Sequence, residues 1–210
     1  MKALVLAVVL GAVSVYAQTS TSTPQQNTGI SNPATSPQQN PNPSGTTRSQ
    51  NLSERGIERI VKEVHHELVL LPFYGVFDNL AYQVAPDGTV TLMGQVVRPT
   101  LKSDAENVVK KIEGVERVVN QIKVLPVSPN DDRIRRDTYR AIYGNDVLSQ
   151  YSLRAVPPIH IIVENGHVTL EGVVARQMDK QIAEMQAKSV PGAFSVTNNL
   201  KVENESRGGS

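Results

Sequence analysis

From Ser53 onward the chain switches between two kinds of hydrophobic spacing. Ile57, Ile60, Val61, Val64 and Leu68 recur at intervals that share one helical face, while Glu54, Arg55, Glu58, Arg59, Lys62 and Glu63 fall largely off it. The pattern predicts an amphipathic helix with Ser53 as its N-cap. Leu80, Tyr82 and Val84 then alternate with Ala81 and Gln83, Asp87-Gly88 marks a tight hairpin turn, and Val90, Leu92 and Val96 continue on a second strand. Pro99 suits the first turn of a second helix, whose stripe is Leu101, Ala105, Val108 and Ile112 and whose end is Gly114. Val115 to Leu125 is rich in β-branched residues and reads as a third strand, with Pro126 and Pro129 breaking the pattern after it.

The same order then begins again. Val90-Thr91-Leu92-Met93-Gly94 returns as Val168-Thr169-Leu170-Glu171-Gly172, 78 positions later, and the same spacing relates Gly114 to Gly192, Val118 to Val196, Asn120 to Asn198 and Val124 to Val202. Read without a gap, it also places Phe73 on Tyr151 and Ser53 on Asp131. The second copy is expected to hold a helix from about Asp131 to Asn145, strands at Ile159–Val163 and Val168–Val174 around Asn165-Gly166, a helix at Gln177–Ser189 and a strand near Phe194–Val202. The expected class is α+β: two tandem α-β-β-α-β modules, each a three-stranded mixed sheet with two helices on one face. The other sheet face is then either exposed or covered by the sister module. Gly94 and Gly172 are expected to permit a bulge or a close backbone approach.

Outside the repeat the composition changes. Residues 1–17 read as a signal peptide: Lys2 is the positive end, Ala3 to Val13 the apolar stretch and Val15-Tyr16-Ala17 the cleavage site. An uncleaved anchor is the competing reading, although the apolar run falls short of the ~20 residues of a spanning helix. Residues 18–50 are almost wholly Gln, Thr, Ser, Asn, Pro and Gly and are expected to form a disordered tether or a stalk. The expected organisation is therefore leader 1–17, polar linker 18–50, modules 51–127 and 130–204, and a disordered tail 205–210. No transmembrane segment is expected in the mature chain, which would be periplasmic or secreted after cleavage near Ala17.

The duplicated pattern resembles the BON domain, a module of bacterial envelope and osmotic-stress proteins often found in tandem. The likeness lies in the element order and in two signatures per copy. The first copy has Val90-Thr91-Leu92-Met93-Gly94-Gln95-Val96 and Glu113-Gly114-Val115-Glu116-Arg117-Val118-Val119-Asn120; the second has Val168-Thr169-Leu170-Glu171-Gly172-Val173-Val174 and Pro191-Gly192-Ala193-Phe194-Ser195-Val196-Thr197-Asn198. The resemblance implies an envelope location, a role in osmotic stress or envelope integrity, association with phospholipid or another envelope component, and no catalytic residues. The chain has no Cys and so departs from the lipoprotein members in lacking a lipidation site.

Chemistry-bearing motifs are sparse. Without Cys, neither disulfides nor thiolate zinc sites are available. The four His residues, His65, His66, His160 and His167, form no His-Glu-x-x-His pattern, and there is no Gly-x-Ser-x-Gly elbow or phosphate-binding glycine loop. No catalytic residue, metal ligand or cofactor is therefore expected. Removing Lys2 with the leader leaves 20 basic against 20 acidic side chains, which argues against a nucleic-acid partner.

Two surfaces stand out as candidates. Arg133, Arg136 and Arg140 share a face of the helix that opens the second copy, flanked by Tyr139 and Tyr143; this face could meet anionic phospholipid or be a solvated face neutralised by Asp131, Asp132 and Asp137. The apolar connection Leu68 to Phe77, with Phe73 and Phe77, either presents a patch to an envelope protein or is buried against the local sheet or the sister module. The expected function is a non-catalytic envelope protein that binds anionic phospholipid or an envelope component, the alternative being a protein-binding adaptor without lipid affinity. The oligomeric state is not legible.

Overall fold

Helix α1 (Glu54–Val69) forms where the apolar stripe predicts it. Ser53 Oγ accepts the Gly56 N–H at 3.2 Å, a cap worth roughly 1 kcal/mol, and Ile57, Ile60, Val61, Val64 and Leu68 are all buried. The computed structural model describes residues 6–9, for their backbone, and 52–203. Most of the expected leader, the polar linker and the tail lie outside the described residues.

After α1 the first module continues as β2 (Asn79–Val84), β3 (Thr89–Val96), α2 (Pro99–Val109), β4 (Arg117–Asn120) and β5 (Lys123–Val124). β2 and β3 are antiparallel, whereas β4 and β5 both pair with β3 in parallel. The third strand is thus two short ones, interrupted at Gln121–Ile122. Its pin is Asn120, whose Nδ2 donates to the Lys102 carbonyl and to Glu106 Oε2, each at 2.9 Å, while its Oδ1 accepts the Ile122 N–H at 3.1 Å. α2 stops at Val109, short of Gly114, and two further turns carry the buried Ile112 into place. One more strand, β1 (Leu6–Val9), runs antiparallel along the free edge of β2; the hydrophobic pattern does not predict it.

The second module repeats the plan as α3 (Pro129–Tyr143), a 3-10 turn (Ser149–Leu153), β6 (Ile159–Glu164), β7 (His167–Val174), α4 (Gln177–Lys188), β8 (Ser195–Asn198) and β9 (Lys201–Val202). Asn198 makes the bonds of Asn120, to the Lys180 carbonyl, Glu184 Oε2 and the Leu200 N–H. A Cβ on Gly94 would lie 2.0 Å from the Asn79 carbonyl oxygen, and one on Gly172 1.9 Å from that of Pro158. The recurring glycine is therefore a close backbone approach, in an unbroken β2–β3 register.

The gapless alignment fails at the first helix of each copy. Gly114 is approached by Arg59 and Ile60 and Gly192 by Arg133 and Ile134, so these helix positions correspond 74 apart while the glycines are 78 apart. The register places Leu80 and Ile159 opposite Gly94 and Gly172, so the first strands correspond 79 apart: the second copy has five extra residues between its first helix and first strand, where the 3-10 turn sits, and one fewer in its hairpin. Asp131 accordingly does not correspond to Ser53 as a cap. Ser128 caps α3 by accepting the Asp131 N–H, and the buried Asp131 carboxylate instead accepts the Asn165 and Gly166 N–H groups of the β6–β7 turn at 2.9 and 2.8 Å.

The two cores meet through the connection after α1. Val76 and Phe77 pack on the second core, Val156 packs on the first, and the Ile161 N–H donates to the Val76 carbonyl at 2.8 Å. Residues Ile159 to Val163 are all buried in consequence, where a strand with one wet face would alternate. Tyr74 stacks on His160 and Lys123 pairs with Glu164, completing the junction.

Candidate functional site

The junction leaves a cleft of roughly 560 Å³ between the modules, with Gly75, Val76 and Phe77 on one side, Arg136, Tyr139 and Arg140 of α3 on another, and Ser152, Arg154, Ala155 and Pro157 on the third. α3 supplies its part because Ile134, Thr138 and Ile142 turn into the core and leave Arg136 and Arg140 outside. Phe77 and Tyr139 meet edge to face at 6.2 Å, and Tyr139 lies 4.8 Å from the Tyr143 ring, so the cleft has an aromatic wall.

Its charge is one-sided. Arg140 shares Asp137 with Arg133, at 3.2 and 3.4 Å. Among the described residues, Arg136 and Arg154 have no ion-pair partner. No carboxylate among the described residues lines the cleft. Two uncommitted guanidinium groups and a third partly neutralised one, beside apolar walls, suit a planar or tetrahedral anion such as carboxylate or phosphate.

The sequence-derived candidates separate into four settings. Arg136, Arg140, Tyr139 and Phe77 come together in the cleft. Arg133 points elsewhere, donating to the Pro191 carbonyl at 3.2 Å and to Asn130, and so fastens the end of α4. Tyr143 is buried: its hydroxyl donates to the Ile159 carbonyl at 2.6 Å and accepts the Ile159 N–H at 3.2 Å. Burial drives its hydroxyl well above the ordinary tyrosine range. Phe73 is 69% exposed, in a left-handed conformation at φ 70°, with the Arg98 guanidinium 4.6 Å above its ring.

Arg154 and His160 were not singled out from the sequence. Arg154 sits in an aperiodic, proline-bounded connection that carries no pattern, and it reaches the cleft only because the modules dock. His160 carries no signal beyond its residue type. Its imidazole is buried, which pushes its pKa down, opposed by hydrogen bonding to the Asp78 and Gly75 backbone. Asp78, also buried at the junction, is shifted up by burial although it accepts the Val97 and Gly75 N–H groups.

The remaining polar pair is His167 Nδ1 and Ser195 Oγ, 2.7 Å apart on an exposed strand surface beside Phe194. Neither belongs to the cleft, and no carboxylate orients the ring among the described hydrogen bonds. Among the described residues, no group of three or more His, Asp or Glu side chains converges as metal ligands would. No described helix is long and apolar enough to cross a membrane.

Comparison with known proteins adds the family. The BON domain model matches residues 77–126 and 130–204. Two solved structures of CdsD, described as a structural protein of the type III secretion system of Chlamydia trachomatis, align over 70% and 68% of this chain and 94% and 96% of theirs. They are 13% and 12% identical, each with a TM-score of 0.26; one is described as the C-terminal domain. No curated protein matches the chain.

Proposed function

The chain belongs to the BON domain family, and on that premise we propose that it is a non-catalytic exported envelope protein whose inter-module cleft receives the headgroup of an anionic phospholipid. The observation that carries this reading is the gathering of Arg136, Arg140 and Arg154 around one apolar-walled cleft that no carboxylate lines among the described residues. Each basic residue near an anionic surface contributes roughly 1 kcal/mol. Leu153, 86% exposed between the cleft residues Ser152 and Arg154, and Phe73, two positions before Gly75, add apolar side chains for the interface beside the headgroups. Export rests on the leader-like residues 1–17, and an envelope-integrity role on the family.

The test is co-sedimentation of the protein with neutral and anionic vesicles at low and high salt. Salt-sensitive binding to the anionic vesicles alone is the expected result. Absence of binding to either overturns the lipid reading and leaves the adaptor reading, which the exposed Leu70 and Phe73 favour. An adaptor loses its partner on Phe73→Ser and keeps it when the cleft arginines are reversed.

A further inference from the structure

Among the described residues, the outer edge of β2 is covered by a single four-residue strand. β2 reads Asn79-Leu80-Ala81-Tyr82-Gln83-Val84, six residues without a charge or a proline, and its other side is fully engaged by β3. Edge strands are ordinarily blunted by lysine, proline, a bulge or a covering segment, because their unpaired N–H and C=O groups accept another strand. The opposite edge of the same sheet follows that practice: it is broken into β4 and β5 and carries Arg117 and Lys123. In the second module the corresponding edge, β6, is covered by the first module, through the Ile161 N–H on the Val76 carbonyl and Tyr74 on His160. Among the described residues only Leu6–Val9 covers β2, antiparallel, with Leu6 opposite Val84 and Val9 opposite Ala81.

We propose that β2 is a strand-addition site, which takes an extended uncharged segment of a partner polypeptide antiparallel to residues 79–84 once the leader has been removed. The seated segment, Leu-Ala-Val-Val, displays the chemistry the edge accepts: short, uncharged and rich in β-branched residues. Main-chain hydrogen bonds supply the affinity in such an addition and alternate side chains the selectivity. Removal of a leader bearing Leu6–Val9 converts a covered edge into an open one, and the core residues described all lie between Leu52 and Val202. The site is separate from the cleft and needs no lipid.

The experiment compares amide hydrogen exchange of the processed chain, Gln18 to Ser210, without and with a synthetic peptide of residues 3–13 bearing terminal lysine tags for solubility. Saturable binding is expected, with exchange across residues 79–84 slowed by about tenfold or more, no such effect from the same peptide carrying Val8→Pro, and no change when Arg136 and Arg154 are reversed to Glu. Unchanged exchange at 79–84 under excess peptide, or protection confined to other strands, overturns the proposal. So does a concentration-dependent dimer in sedimentation whose 79–84 protection the peptide does not displace, since the edge would then belong to a second copy.

Discussion

Tyr74 of the first module stacks on His160 of the second, with ring centroids 5.6 Å apart and planes inclined by 29°. This contact joins a titratable group to the junction that creates the cleft. Burial holds the folded-state pKa of His160 below its ordinary value of 6.5, and His65 is lowered in the same sense, first by burial and then by His66. Below about pH 6.5 the unfolded chain therefore binds more protons than the folded one. Stability is full above that pH and is lost as pH falls from it towards the folded pKa values. Asp78 acts oppositely at the acid end, because its raised pKa lets the folded chain take up a proton first. Urea titrations at about pH 7.5 and 5.5 are expected to give the lower stability at the lower pH, and His160→Phe, which keeps a ring on Tyr74, to flatten the difference.

Asn120 and Asn198 each tie a broken third strand to the helix preceding it. Asn198→Ala strands the Lys180 carbonyl and the Leu200 N–H together, and the expected cost is roughly 1–3 kcal/mol by chemical denaturation. Asn120→Ala is expected to cost a similar amount, from the same bonds in the first module.

Gly172 has φ 118° and no room for a Cβ against the Pro158 carbonyl oxygen. Gly172→Ala is expected to destabilise the chain by about 3 kcal/mol or more, combining backbone strain with displacement of the β6–β7 pair. Thermal unfolding followed by circular dichroism checks it.

Arg133 and Arg136 lie three positions apart on α3 yet have different work. Arg133→Glu removes the bond to the Pro191 carbonyl and is expected to cost about 1 kcal/mol of stability with little change in vesicle affinity per folded molecule. Arg136→Glu is expected to leave stability unchanged and to weaken anionic-vesicle binding, as read by parallel denaturation and co-sedimentation.

The elements themselves were legible because each has a plain local cause. The stripe from Ile57 to Leu68, the alternation of Leu80, Tyr82 and Val84 and the Ser53 cap all appear in the structure as the sequence predicts. The length differences between the copies, five residues gained before the first strand and one lost in the hairpin, were hidden because the second strands, second helices and last strands keep the 78-residue spacing, and only the strand register and the contacts of Gly114 and Gly192 reveal the shifts. Half of the candidate face was legible for a similar reason. Helical spacing groups Arg133, Arg136 and Arg140, but it cannot show that the end of α4 captures Arg133 while docking of Gly75–Phe77 brings Arg154 to the other two. Tyr143 looked like a flanking ring, yet the strand placed beside it by the extended connection takes its hydroxyl. Such information is tertiary, and no periodicity carries it.

The most direct test of the cleft is the affinity of the Arg136→Glu, Arg154→Glu double variant for anionic vesicles at low salt, measured beside the unaltered protein with its fold checked by circular dichroism. Reversing two uncommitted charges is expected to lower the affinity by at least about tenfold, at roughly 1 kcal/mol for each basic residue, and to remove most of its salt dependence. Undiminished, salt-sensitive binding by the folded double variant would contradict the account and place the lipid contact elsewhere on the chain.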